Sequence, residues 1–152
     1  MTRTIWWDMD GTIANLYGVD NWLEMLRSHD TTPYAEAETM LNMALFARYL
    51  HKVQQLGNRI GIISWLSKCP TKEYDDAVTE AKLDWLKKHL PSVNWDNIVI
   101  VGYGVPKQEF METENDILFD DEEPNRANWY GEAYKPEDIM AVLRNIVREK
   151  GE

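Results

Sequence analysis

Apolar positions along the chain follow two rhythms that alternate. Thr4 to Met9 holds Ile5-Trp6-Trp7, a short run suited to a pleated surface, and Asp10-Gly11-Thr12 breaks it, which predicts a first strand and its loop. Leu41, Leu45, Tyr49, Val53 and Leu56 then recur at spacings of three and four before Gly57, a pattern that predicts a helix over about 41–56. Arg59-Ile60-Gly61-Ile62-Ile63-Ser64 is too short for a helix and reads as a strand buried on both faces. Tyr74, Val78, Ala81, Trp85 and Leu86 mark a second helix that stops before Pro91, and Ile98-Val99-Ile100-Val101-Gly102 reads as a third strand. Ile117-Leu118-Phe119 forms a fourth, Glu132-Ala133-Tyr134 a short fifth, and Pro136 opens a last helix striped by Ile139, Met140, Leu143, Ile146 and Val147.

Strands alternating with helices predict an α/β fold: a three-layer, Rossmann-like parallel sheet with helices on both faces and right-handed crossovers. Ligands are then expected beyond the C-terminal ends of the strands. The polar stretches Arg27 to Thr39 and Glu122 to Gly131 read as loops around such a site. A length of 152 residues suits one domain, 1–152, and is short for two independent cores.

The composition, 44% apolar and 28% charged, is that of an ordinary globular chain. A net charge of −10 disfavours extended nucleic-acid binding, although a divalent cation and one or two lysines can reverse the potential locally for a small phosphorylated ligand. No apolar run approaches the roughly 18 residues of a membrane span, and no targeting segment is evident. The single cysteine, Cys69, has no internal disulfide partner, which fits a reducing, cytoplasmic setting.

Chemistry concentrates at the strand ends: Asp8 and Asp10 on the first, Ser64 on the second, Asp120 and Asp121 on the fourth. Asp8 and Asp10 are two apart on an extended segment, so their carboxylates point the same way and Met9 points into the opposite layer. Like charges so close raise one pKa unless a cation relieves them, and a divalent ion with oxygen ligands does so, which implies Mg2+. Asp-Gly is also a frequent turn dipeptide, but the other strand-end acids favour the functional reading. An EF-hand loop is excluded by spacing, because Val19 stands where its bidentate glutamate would be. His29, His51 and His89 are scattered without metal-ligand spacing.

Asp8-Met9-Asp10-Gly11-Thr12 resembles the first motif of the haloacid dehalogenase superfamily of phosphohydrolases, and the order of later motifs agrees. Ser64 matches the second motif, Lys107 the third, with Lys68 and Lys72 as substitutes, and Asp120-Asp121 the acidic fourth. The segment Ala81 to Leu90, with Ile98-Val99-Ile100 and Phe119-Asp120-Asp121, is similar to the 5'(3')-deoxyribonucleotidase branch, whose helical cap is here reduced to a short insertion at about residues 15–40. The resemblance implies a phosphatase in which Asp8 is the nucleophile, forming an aspartyl-phosphate, and Asp10 the acid and then the base. It further implies that Thr12, Ser64, Trp65 and Lys107 bind phosphate, and that Mg2+ is held by Asp8, the Asp10 main-chain carbonyl and Asp120 or Asp121.

Among the aromatic residues, Trp6, Trp7 and Trp85 are expected in the core, whereas Trp65 beside Ser64, and Tyr17, Trp22 and Tyr34 in the insertion, are placed to meet a nucleobase or an aromatic leaving group. The expected substrate is a small phosphate ester such as a (deoxy)nucleoside monophosphate. The alternatives are a phosphatase of nucleic-acid ends or phosphoproteins, favoured by a small cap, and a non-enzymatic phospho-receiver domain, which would want an aspartate where Ser64 stands.

Overall fold

The computed structural model describes residues 2–68 and 71–150, so Cys69 lies outside the described residues. Five strands form one sheet: β1 (Thr4–Trp7), β4 (Arg59–Trp65), β5 (Asn97–Val101), β6 (Ile117–Phe119) and β7 (Ala133–Tyr134). Their order is β5-β4-β1-β6-β7, and every neighbouring pair is parallel. The first strand is therefore central, flanked by the two strands that the sequence also marked as ending in polar chemistry. The predicted α/β class and parallel sheet are what the chain adopts.

Alternation along β1 sorts the core. Ile5, Trp7 and Met9 face one side, where they meet Phe46, Leu50 and Val53 of α3 (Met43–Gln55) and Ile139, Leu143 and Ile146 of α6 (Ile139–Lys150). Trp85 and Leu86 of α4 (Lys72–His89) join the same cluster. Trp6 faces the other side with Ile63, Leu118 and Trp129, covered by Phe110 and Met111. Trp6 and Gly61 are cross-strand partners, and a Cβ on Gly61 would lie 2.6 Å from the Trp6 ring, so the missing side chain makes room for the indole.

Two stretches expected to be loops contain short helices. Residues 27–39 hold α2 (Thr32–Glu36) and β3 (Glu38–Thr39), which pairs antiparallel with β2 (Ala14–Asn15); residues 122–131 hold α5 (Glu123–Asn128). Helices of five and six residues are too short to show an apolar stripe, although Pro33 and Pro124 in their first turns are start signals. The insertion also holds α1 (Trp22–Arg27). Pro136 opens a 3-10 turn, Pro136–Asp138, and α6 begins after it.

The insertion is docked on α4 rather than projecting into solvent. Leu16, Leu26 and Tyr34 share a cluster with Tyr74 and Val78, the Tyr74 hydroxyl donates to the Asp30 carbonyl at 2.8 Å, and the Trp85 indole donates to the Ala37 carbonyl at 2.8 Å.

The start of β6 is tied to β1 by the fully buried Asp116. Its carboxylate accepts from the Thr4 amide (2.8 Å), the Trp6 indole (3.0 Å), the Glu112 amide (2.7 Å) and the Thr113 hydroxyl (2.8 Å). Burial alone would raise its pKa, but these donors outweigh it and hold the carboxyl below the ordinary 3.8. The folded value is the lower one, so this stabilisation is present above about pH 4 and is lost as the pH falls through the folded pKa. Asp116→Asn, which turns an amide N–H2 toward donors, should lower stability by about 2–3 kcal/mol in urea unfolding at neutral pH, and the gap to wild type should close on acidification.

Candidate active site

A tight turn follows β1. The amides of Thr12, Ile13 and Ala14 all reach the Met9 carbonyl, and Gly11 adopts a left-handed conformation with φ 81°. A Cβ on Gly11 would lie 2.3 Å from an Asp121 carboxylate oxygen and 2.9 Å from the Tyr17 ring, so glycine is needed here both for the dihedral angle and for the close approach. The turn brings the acids of two strand ends together.

Asp8 sits just beyond β1, buried, with Oδ1 accepting from Lys107 Nζ at 2.9 Å and Oδ2 accepting from the Thr12 hydroxyl at 2.9 Å. Lys107, 2% exposed, also donates to Asp120 Oδ2 at 2.7 Å and lies 5.2 Å from the Trp65 ring centre. Burial opposes its charge, but Asp8 and Asp120 outweigh burial and raise its pKa, so it is a permanent cation. Asp120 is further held by the Glu122 amide at 2.9 Å and the Asn125 side chain at 3.2 Å. Its pKa rises to about 6 through burial and the charge of Asp8, offset by Lys107.

Asp121 also has a raised pKa. Burial, the charge of Asp8 and a hydrogen bond shared with Asp8 push its carboxyl up to about 8. One oxygen from each of Asp8, Asp120 and Asp121 lies within 4.8 Å of the others. Oxygen-only donors with concentrated negative charge, one of them forced to keep a proton, fit a hard divalent cation such as Mg2+.

Asp10 stands apart from that cluster. Its Oδ2 accepts from Lys82 Nζ at 2.8 Å, its side chain is 16% exposed, and burial raises its pKa despite Lys82. A carboxyl group kept protonated above the usual range can act as a proton donor.

The expected phosphate-binding residues sit differently from one another. Lys107 lines the cavity above Asp8, and Trp65 lines it too, with its indole N–H given to the Val105 carbonyl at 2.8 Å. Thr12 and Ser64 are fully buried: the Thr12 hydroxyl braces Asp8, and Ser64 Oγ accepts from Lys82 at 2.6 Å. Of the substitute lysines, Lys68 is at the cavity rim over the Tyr103 ring, while Lys72 is exposed and paired with Asp76. Lys82 is the residue that the sequence reading passed over. It occupies the apolar stripe of α4, four residues after Val78 and three before Trp85, and a lysine in a buried stripe is a signal in itself.

The cavity has a volume of about 760 Å3. Asp8, Asp10, Lys107, Asp120 and Asp121 line it together with Tyr17, Trp22 and Tyr34 of the insertion and with Trp65 and Tyr103. Tyr17 and Trp22 meet edge to face at 4.9 Å, and Trp65 and Tyr103 are 5.0 Å apart.

A buried aspartate after the central strand, an acid two residues later, a lysine and a closing acid pair, all at the C-terminal edge of a parallel sheet, define a haloacid dehalogenase-like hydrolase. A family model described as "5' nucleotidase, deoxy (Pyrimidine), cytosolic type C protein" matches residues 39–140, about two thirds of the chain. The chain belongs to that family, and so to the phosphatases. The match includes Ser64, Lys82, Lys107, Asp120 and Asp121, and it begins after Asp8–Thr12. Among solved structures, D,D-heptose 1,7-bisphosphate phosphatase from Burkholderia thailandensis shares the fold, with a TM-score of 0.51 and 15% identity over 83% of this chain and 71% of that one. No match is found among curated proteins.

The raised pKa of Asp121 sets a pH dependence. Its folded value exceeds the unfolded 3.8, so stability present below about pH 4 is lost as the pH rises toward 8, unless a cation replaces the proton. In thermal unfolding with chelator, Tm should fall between about pH 5 and pH 8, and Mg2+ should raise Tm more at the higher pH. Asp121→Asn should remove most of both effects.

Proposed function

We propose that this protein is a Mg2+-dependent phosphomonoesterase that works through an aspartyl-phosphate on Asp8 and takes small phosphate esters, with (deoxy)nucleoside monophosphates foremost. The observation that carries the proposal is Asp8 itself, buried at a cavity wall with one oxygen on Lys107 and a place in the three-carboxylate cluster. Family membership supports the reaction class.

In this reading an Asp8 oxygen attacks phosphorus in line and the bond to the leaving oxygen breaks, while Asp10 gives its proton to that oxygen. Asp10, now a carboxylate, takes a proton from water, whose oxygen attacks the phosphorus of the acyl phosphate; the bond to Asp8 breaks and inorganic phosphate departs. Lys107 offsets the charge of Asp8 and of the phosphoryl oxygens where little water screens it. Asp8, Asp121 and the Asp10 main-chain carbonyl would hold Mg2+, which neutralises phosphoryl charge when bound. Asp120, already engaged by Lys107, the Glu122 amide and Asn125, would serve that ion by orienting Lys107.

The substrate reading rests on the cavity. Its volume lies in the range of small-molecule sites, and aromatic rings from the insertion and from the strand ends suit a nucleobase. Residues 15–40 are read as a small cap within one domain spanning 1–152. The family's description names a cytosolic type, which supports a cytoplasmic setting.

Phosphate release should be measured from nucleoside monophosphates, sugar phosphates and para-nitrophenyl phosphate, with Mg2+ or with chelator. Turnover is expected only with the metal and fastest on nucleoside monophosphates, and Asp8→Asn should lower kcat by about a thousandfold or more. Activity retained in Asp8→Asn would sink the nucleophile assignment. Trp22→Ala should raise KM for nucleoside monophosphates by about tenfold and barely change it for a short alkyl phosphate.

A further inference from the structure

The ammonium of Lys82 is enclosed at the end of β4, with the side chain 1% exposed. It donates to Asp10 Oδ2 at 2.8 Å, to Ser64 Oγ at 2.6 Å and to the Trp65 main-chain carbonyl at 3.0 Å. An ammonium has three donors and no acceptor, so these contacts use it completely. The Tyr34 ring of the insertion lies 5.0 Å from the same nitrogen.

Each contact restricts a different group. The Ser64 hydroxyl receives a proton donor from Lys82, so its own hydrogen must point elsewhere. One oxygen of Asp10 is tied down while the residue keeps its place on the cavity wall. The Trp65 carbonyl fixes the last residue of β4, next to the ring that lies against Lys107. Stability alone gives little reason for this arrangement, because the cost of desolvating a buried ion pair often cancels its attraction and an apolar residue of similar size serves as well.

We propose that Lys82 is a positioning residue for the phosphatase reaction: braced by Ser64 and the Trp65 carbonyl, it aims the Asp10 carboxyl at the leaving-group oxygen without touching substrate. The proposal rests on the reading of Asp8 as nucleophile and Asp10 as acid. It makes α4, which also carries the insertion, the element that joins cap and proton donor.

Leaving groups provide the test. An alkoxide leaving group, as in a nucleoside 5'-monophosphate, needs the Asp10 proton, whereas para-nitrophenolate departs without one. The quantity kcat/KM reports only the steps up to aspartyl-phosphate formation, so it should be compared for both substrates in wild type, Lys82→Met, Lys82→Arg and Asp10→Asn at saturating Mg2+. For Lys82→Met we expect a fall of about a hundredfold on the nucleotide and less than about fivefold on para-nitrophenyl phosphate. Lys82→Arg, which keeps the charge but spreads its donors in a plane, should show the same bias more weakly, and it remains informative if the methionine variant does not fold. The double variant Asp10→Asn/Lys82→Met should be no slower on the nucleotide than Asp10→Asn alone.

Equal losses on both substrates in the Lys82 variants, or no loss on either, would overturn the proposal provided that Asp10→Asn itself discriminates between the substrates. If Asp10→Asn does not discriminate, or Asp8→Asn stays active, the underlying catalytic reading falls instead, and the two failures are told apart.

Discussion

Four carboxyl groups share the C-terminal edge of this sheet, and they can do so only because two buried ammonium groups stand between them. Lys107 bridges Asp8 and Asp120, and Lys82 holds Asp10. Without those cations, Asp8, Asp10, Asp120 and Asp121 would repel one another in a medium that screens poorly. Even with them the charge is not fully balanced. Asp121 keeps a carboxyl pKa near 8, and this residual imbalance is what a divalent cation would relieve.

The two lysines divide the site into halves with different chemistry. On the Lys107 side, three acids are held close together around one buried ammonium, an arrangement that suits a nucleophile and a metal. On the Lys82 side, one acid is set apart, with a raised pKa and a fixed orientation, as proton transfer requires. Each half is anchored by a different part of the fold. Lys107 comes from the 3-10 turn Lys107–Phe110 after β5, and Lys82 from the long helix that also supports the insertion.

The insertion shows how a short segment can still shape a pocket. Its helices are only five and six residues long and could not stand alone, but Tyr74 and Trp85 bond to its carbonyls and Leu16, Leu26 and Tyr34 pack on α4. The result is an aromatic wall facing the strand-end rings of Trp65 and Tyr103.

The sequence by itself determined the sheet and which polar residues end its strands, because both depend on local pattern. The alternation of Ile5, Trp6 and Trp7, the apolar runs ending at Ser64 and before Asp120, and the stripes of the long helices are all properties of neighbouring residues. The chain order of Asp8, Asp10, Ser64, Lys107 and Asp120-Asp121 was legible for the same reason. Only the tertiary structure decided that Thr12 donates to Asp8, that Ser64 is bonded to Lys82, and that Lys82 reaches Asp10 across 72 positions of sequence. It also set Asp120 and Asp121 in different surroundings, one held by Lys107 and the other packed over Gly11. Such pairings arise where separate strands and helices meet, and no periodicity within one segment specifies which partner a buried charge will find.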